Sequence, residues 1–145
     1  MSNVVDRRAA HTYPNLLSIN TRFTETDANA HINNVSYLLY YEDARAAFLI
    51  DCFPELIASS HWRFQQVRCD ISYDGQSYYP DPMTVATGVE HVDDGWLRLS
   101  QALFQRGQCV GQCDVILVMV DAQGKPIPIA ADQRVLLESR CLRAR

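Results

Sequence analysis

From Asn34 to Phe53 the chain reads NVSYLLYYEDARAAFLIDCF, apolar almost all round, with Glu42, Asp43 and Arg45 its only charges before Asp51. A helix of this kind has no solvent stripe and is buried rather than laid on a surface. Asn33 or Asn34 supplies its N-cap, because a short amide side chain accepts from the unpaired N–H groups of the first turn, and Pro54 marks its stop. Beyond it the period shortens. Arg63 to Tyr73, Met83 to His91, Trp96 to Gln105 and Cys109 to Val120 are strand-length runs separated by turn residues. Asp94-Gly95 is a hairpin signal, and Arg106-Gly107 and Gln123-Gly124 read as turns. The run from Val115 to Val120 has no polar face and needs cover on both sides, by the helix and by a second subunit. With a first strand over Leu16 to Phe23, the order predicts an α+β chain: one mostly antiparallel sheet wrapped around one long central helix.

The 145 residues make one domain, with a loose, flexible start over 1–13 and a single unit over 14–145. Hydrophobic residues at 48% and charged residues at 21% exclude long disorder, collagen and coiled coil. A formal charge of −4 gives no overall attraction to nucleic acid or anionic lipid, so neither is expected as a partner. The first residues carry no apolar leader core, and no run of apolar residues reaches membrane-spanning length. Cys52, Cys69, Cys109, Cys113 and Cys141 form neither an even framework nor a CxxC pair, which points to the reducing cytoplasm. Cys109 and Cys113 are expected on one strand face about 13 Å apart, too far to bridge, as packing residues. His11, His61 and His91 show no metal spacing, and neither a Walker loop nor GxGxxG is present, so no metal or cofactor is expected.

Functional residue types concentrate between the first strand and the helix, in RFTETDANAHINNVSY. Asp27, Asn29, His31, Asn33 and Asn34 fall within eight residues, in a loop that delivers the chain into a helix N-terminus. That end carries partial positive charge and unpaired N–H donors, which suits a developing oxyanion. The same residue types are also ordinary turn and cap residues. Glu42 and Arg45, three apart on the helix, are expected to pair and so neutralise charges that are costly to bury.

The stretch RFTETDANAHINNVSYLLYYEDAR resembles the hotdog-fold acyl thioesterases of the 4-hydroxybenzoyl-CoA thioesterase type. Its D-x-N-x-H-I-N-N core is also similar to the plant acyl-ACP thioesterase motif, and ISYDGQSYYPDPMTV and VMVDAQGKPIPI extend the likeness over about residues 16 to 134. Ala30 departs from the pattern, in which Gly commonly precedes the His.

The resemblance implies a hotdog fold and a cytoplasmic hydrolase that cleaves an acyl-CoA or acyl-carrier-protein thioester to acid and thiol. The enzyme would be a homodimer or homotetramer with sites at subunit interfaces. Asp27 would attack the carbonyl or act as base on a water, with Asn29 and His31 orienting and polarising. The Asn34 N–H would form the oxyanion hole, and Asn33 would fix the loop. Tyr37, Tyr41 and Tyr73 would line the acyl pocket or its channel, with Tyr40, Phe48, Tyr78 and Tyr79 as further candidates. Asp43 would come near the site through the subunit interface. Of the twelve arginines, set against the single Lys125, Arg68 would be the carrier-phosphate ligand, with Arg63, Arg98, Arg106 and Arg134 as further candidates. A hotdog hydratase or dehydratase, and a non-catalytic acyl-thioester binding module, remain as alternatives.

Overall fold

The apolar run after Asn33 forms one helix, α1 (Asn34–Cys52). The Asn33 side chain accepts the Val35 N–H at 3.0 Å, so Asn33 is the cap and Asn34 the first helical residue. Tyr37, Tyr40, Tyr41, Ala44, Phe48 and Cys52 are buried, and their spacing by three and four makes them one broad face of the helix. This face packs on a five-stranded antiparallel sheet in the computed structural model, which describes residues 4–58 and 61–144. The strands are β1 (Asn15–Ile19), β2 (Trp62–Tyr73), β3 (Met83–Val92), β4 (Trp96–Gln105) and β5 (Gln108–Asp121), in the order β1-β3-β4-β5-β2. Alternate residues of the central strands, among them Val85, Val89, Leu97, Leu99, Val115 and Leu117, point at α1 and close a single core. The arrangement is the expected sheet wrapped around a central helix. No helix among the described residues is long and apolar enough to cross a membrane.

Several elements differ from the sequence reading. The first strand stops at Ile19, and Phe23–Glu25 winds into a 3-10 turn, because the Thr21 hydroxyl turns to the Asp81 carbonyl at 3.0 Å. A second helix, α2 (Ala131–Glu138), has no clear mark in the sequence: it buries only Leu137 in full and lacks a side-chain cap at Ala130. Residues 4–13, expected to be a loose start, lie on the outer face of the sheet. There Arg7 bonds Ser100 and Asp114, Arg8 bonds Asp74, and Tyr13 packs with Ala86, Ala102 and Phe104.

The expected Glu42–Arg45 pair does not form. Arg45 is buried, and its guanidinium donates to the side-chain carbonyl oxygens of Gln101 (3.0 Å) and Gln66 (2.8 Å), while Glu42 is exposed. The helix turns Arg45 inward, so its charge is met by carboxamide dipoles instead of a carboxylate. Cys109 and Cys113 do not share a face either. Leu103 pairs with Gly111 but Phe104 pairs with Cys109, so Val110 is an extra residue in β5. This bulge sends Cys109 to the outer face beside Phe104 and leaves Cys113 inside against α1. In the run from Val115, the inward Val115, Leu117 and Met119 are buried, whereas Ile116 and Val118 on the outer face are only half-covered within the chain.

Gly111 lies where β5 passes under the helix. A Cβ there would stand 2.8 Å from the Tyr41 hydroxyl and 3.0 Å from the Ser72 carbonyl oxygen. The Tyr41 hydroxyl is itself buried with no hydrogen-bond partner among the described residues, a group that is costly to leave unmet. Gly111→Ala is therefore expected to lower the unfolding free energy by about 2 kcal/mol, the usual cost of overpacking. Tyr41→Phe, which removes the oxygen that crowds it, should recover part of that loss in the double variant. Urea midpoints of the four proteins measure both effects.

Candidate active site

The loop between β1 and α1 is held at both ends. At its start Glu25 accepts the Arg22 N–H (2.7 Å) and the Tyr40 hydroxyl (2.8 Å) on the same carboxylate oxygen. At its end the Asn33 N–H reaches back to the Glu25 carbonyl at 2.8 Å. Burial, and then the Glu25 carboxylate, push the Tyr40 phenol well above its ordinary pKa and keep it a donor. Between these ends Thr26 bridges Ile32, and the Asp27 N–H bonds the His31 carbonyl at 2.9 Å. The loop is thus a small hairpin with Asp27 and His31 facing each other across its base.

Inside the hairpin, Asp27 Oδ1 accepts the N–H groups of Asn29 (2.9 Å) and His31 (3.3 Å). Its second oxygen, Oδ2, accepts no hydrogen bond among the described residues. To close so tight a turn Ala30 adopts φ 62°, in the left-handed region that glycine occupies without cost. An alanine thus holds a left-handed conformation at the position where the resemblance puts Gly.

The segment from Asp74 to Pro82, between β2 and β3, forms a second wall. The Ile32 N–H donates to the Ser77 carbonyl at 2.9 Å, and the Tyr37 hydroxyl donates to the Gly75 carbonyl at 2.9 Å. Gln105, buried at the end of β4, accepts the Tyr78 N–H (2.8 Å) and donates to the Tyr78 and Asp81 carbonyls (2.8 and 2.9 Å). So anchored, the Tyr78 ring meets the His31 ring edge-on at 5.3 Å, and the Arg106 guanidinium lies 5.8 Å from the centre of the same ring. In the first turn of α1 the Val35 N–H goes to the Asn33 side chain and the Ser36 N–H to the Asn33 carbonyl. The Asn34 N–H has no hydrogen-bond partner among the described residues. It is a free donor at the positive end of a 19-residue helix.

The structure thus brings Asp27, Asn29, His31 and Asn34 into one hairpin and helix start. Asn29 and His31 bear on Asp27 through main-chain N–H groups, while the Asn29 side chain is exposed and the imidazole rests on Tyr78. Tyr37 and Tyr41 are buried in the seam between α1 and the sheet, with Tyr37 against Tyr73 at 5.6 Å between rings. Asp43, with Arg22, Glu25 and Tyr40, lines a hollow of about 310 Å³ on the flank of α1 in its own chain.

Arg68 is not brought to the hairpin: it lies on the outer face of β2, paired with Asp70 at 2.9 Å. Arg98 and Arg134 are likewise held by Asp114 and Asp94, and Arg63 by the Asp121 carbonyl. The sequence reading missed Glu25, Ser77 and Gln105. Only Glu25 carries a signal, as an acid three residues after Arg22 in capping-box spacing. No group of three His, Cys, Asp or Glu side chains able to hold a metal occurs among the described residues.

A model of the thioesterase-like superfamily matches residues 21–137. The predicted thioesterase of Bacillus stearothermophilus superposes with a TM-score of 0.82 at 28% identity, over 90% of this chain and 98% of its own. A protein of Pseudomonas aeruginosa strain PAO1 gives 0.85 at 22% identity over 95% and 99% of the two chains. A thioesterase of Thermus thermophilus, solved in complex with coenzyme A and zinc, gives 0.80 at 22% over 88% and 94%. At these identities the last two likenesses speak for the fold. No curated protein sequence matches the chain.

Ala30 supplies a test of the hairpin itself. Releasing a left-handed alanine gains about 1 kcal/mol, part of which the more flexible unfolded chain of a glycine variant gives back. Ala30→Gly should therefore melt about 1–3 °C higher, and Ala30→Val, with a branched side chain at positive φ, should melt lower. Thermal unfolding followed by circular dichroism reads both.

Proposed function

The chain belongs to the thioesterase-like superfamily, and from that premise we propose that it hydrolyses acyl-coenzyme A thioesters to a free acid and coenzyme A thiol, with Asp27 as the reacting carboxylate. The observation that carries this reading is the division of labour on Asp27. One oxygen is fixed by two loop N–H groups and the other is open, in the same loop that presents the free Asn34 N–H. With the thioester oxygen on that N–H, the charge that develops as the carbonyl turns tetrahedral meets a preorganised donor and the helix dipole. The open oxygen either bonds to the carbonyl carbon and expels the thiolate, leaving an anhydride that water cleaves, or takes a proton from the attacking water. His31, which donates its N–H to the fixed oxygen, has its ring edge-on against Tyr78. Coenzyme A bound to the Thermus thermophilus neighbour supports this carrier over an acyl-carrier protein.

A homodimer, or a dimer of dimers, completes the site. Asp27 and His31 are only partly covered in the single chain, and apolar side chains stand exposed around them: Phe23 at 72%, Val35 at 63%, with Leu39, Tyr73 and Tyr79. Among the described residues β2 is an edge strand bonded to β5, so its outer edge is open to a second copy. The five free cysteines favour a cytoplasmic setting.

Asp27→Asn keeps an acceptor for the two loop N–H groups and removes the charge, whereas Asp27→Ala removes both. Each is expected to cut kcat on acyl-CoA by at least about 100-fold with the fold retained by circular dichroism. Cleavage at the parent rate by either variant would overturn the assignment, and binding of acyl-CoA without turnover by the parent would make the protein a binding module. Light scattering on the eluting protein should give a dimer or tetramer mass. Leu39→Glu, on the exposed side of α1, should shift that mass toward the monomer and lower activity with it.

A further inference from the structure

A hollow of about 540 Å³ lies on the outer face of the sheet, where residues 8–10 cross the start of β3 and the β4–β5 turn. Its size is that of a small-molecule site. Leu16, Pro82 and Phe104 give it an apolar lining, and two guanidiniums, Arg8 and Arg106, border it. Both are held in place without being used up. Arg8 donates to the Asp74 carboxylate (2.8 Å) and the Cys109 carbonyl (3.2 Å), which leaves its Nε free among the described residues. Arg106 donates to Asp81 through Nε, and both of its terminal nitrogens remain open among the described residues. Two prepositioned forks over an apolar lining suit a phosphorylated group with a flat organic part.

Between the hollow and the candidate active site stand Arg106, which borders the hollow, and Tyr78 beneath it. Tyr78 touches His31 on one side and carries Arg106 over its ring on the other. A pantetheine arm is long enough to pass a single tyrosine. Resting on the thioesterase reading above, we propose that this hollow takes the phosphate-bearing nucleotide end of coenzyme A, Arg106 and Arg8 donating to its phosphate oxygens while the thioester lies beside Asp27 across Tyr78. The carrier-binding arginine is then Arg106 in place of Arg68, which stands elsewhere on the sheet. Asp74 and Asp81 serve to aim the two forks, and their charges keep the site from being a general anion trap.

The test compares one acyl group carried on coenzyme A and on N-acetylcysteamine, which offers the same thioester end without phosphate. In the full-length protein, the ratio of kcat/KM for the two esters should fall at least tenfold in Arg106→Gln and further in the Arg8→Gln/Arg106→Gln double variant. Titration calorimetry with coenzyme A itself should show the same weakening, whether or not turnover occurs. An unchanged ratio together with unchanged coenzyme A binding would sink the proposal and leave the hydrolase standing. Arginine-dependent coenzyme A binding with no cleavage of either ester would keep the subsite and remove the hydrolase. Preference for an acyl-carrier protein that is indifferent to both arginines would also overturn it.

Discussion

Glu25 is where the site is fastened to the fold. Its carboxylate takes the Arg22 N–H and the Tyr40 hydroxyl, and its carbonyl takes the Asn33 N–H, so one residue ties the loop's beginning, its end and the buried face of α1. Charge-assisted bonds of this kind are stronger than neutral ones, and the raised phenol pKa of Tyr40 keeps the donor in place at any ordinary pH. Everything downstream inherits that geometry. The helix begins at Asn34 because Asn33 is pinned and capping, and the hairpin that holds Asp27 closes because its two ends are fixed on the same neighbour.

The second wall is built by the same means from the other side of the sheet. Gln105 is an uncharged buried side chain whose three hydrogen bonds all go to the main chain of the Tyr78–Asp81 turn. A carboxamide can both donate and accept there, which no apolar residue could do without leaving those groups unmet. Arg45 follows the same logic beneath α1, where the buried Gln101 and the more exposed Gln66 supply oxygens to its guanidinium. Gln101 goes on to hold the Tyr41 carbonyl and the Thr87 hydroxyl, so helix and sheet are bonded as well as packed. The seam beneath α1 is therefore polar along one line and apolar around it.

What the sequence discloses follows from how local each feature is. The long helix is legible from the length of its apolar run, and the strands because their lengths and turns are written in consecutive residues; that only one face of the helix is covered within the chain, with Val35, Leu39 and Ile50 exposed on the other, is not. The candidate motif is legible because Asp27, Asn29, His31 and Asn34 are close in sequence and lie together on one short hairpin and the helix start that follows it. The end of the first strand is not, because it depends on Thr21 reaching Asp81, sixty residues away. Spacing alone pairs Glu42 with Arg45, whereas the direction in which the helix turns each side chain is set by the sheet. Gln105 and Ser77 are hidden for the same reason: their partners are brought to them by the fold.

The extra residue at Val110 has a consequence for comparative work on this molecule. Strand β5 runs in one phase before the bulge and in the opposite phase after it, so inside and outside exchange along a single segment. A homologue without that insertion would align letter for letter through the segment and still place half of its side chains on the wrong side of the layer. Residue correspondences drawn across it, including any used to choose substitutions in a library, need an offset of one position at that point.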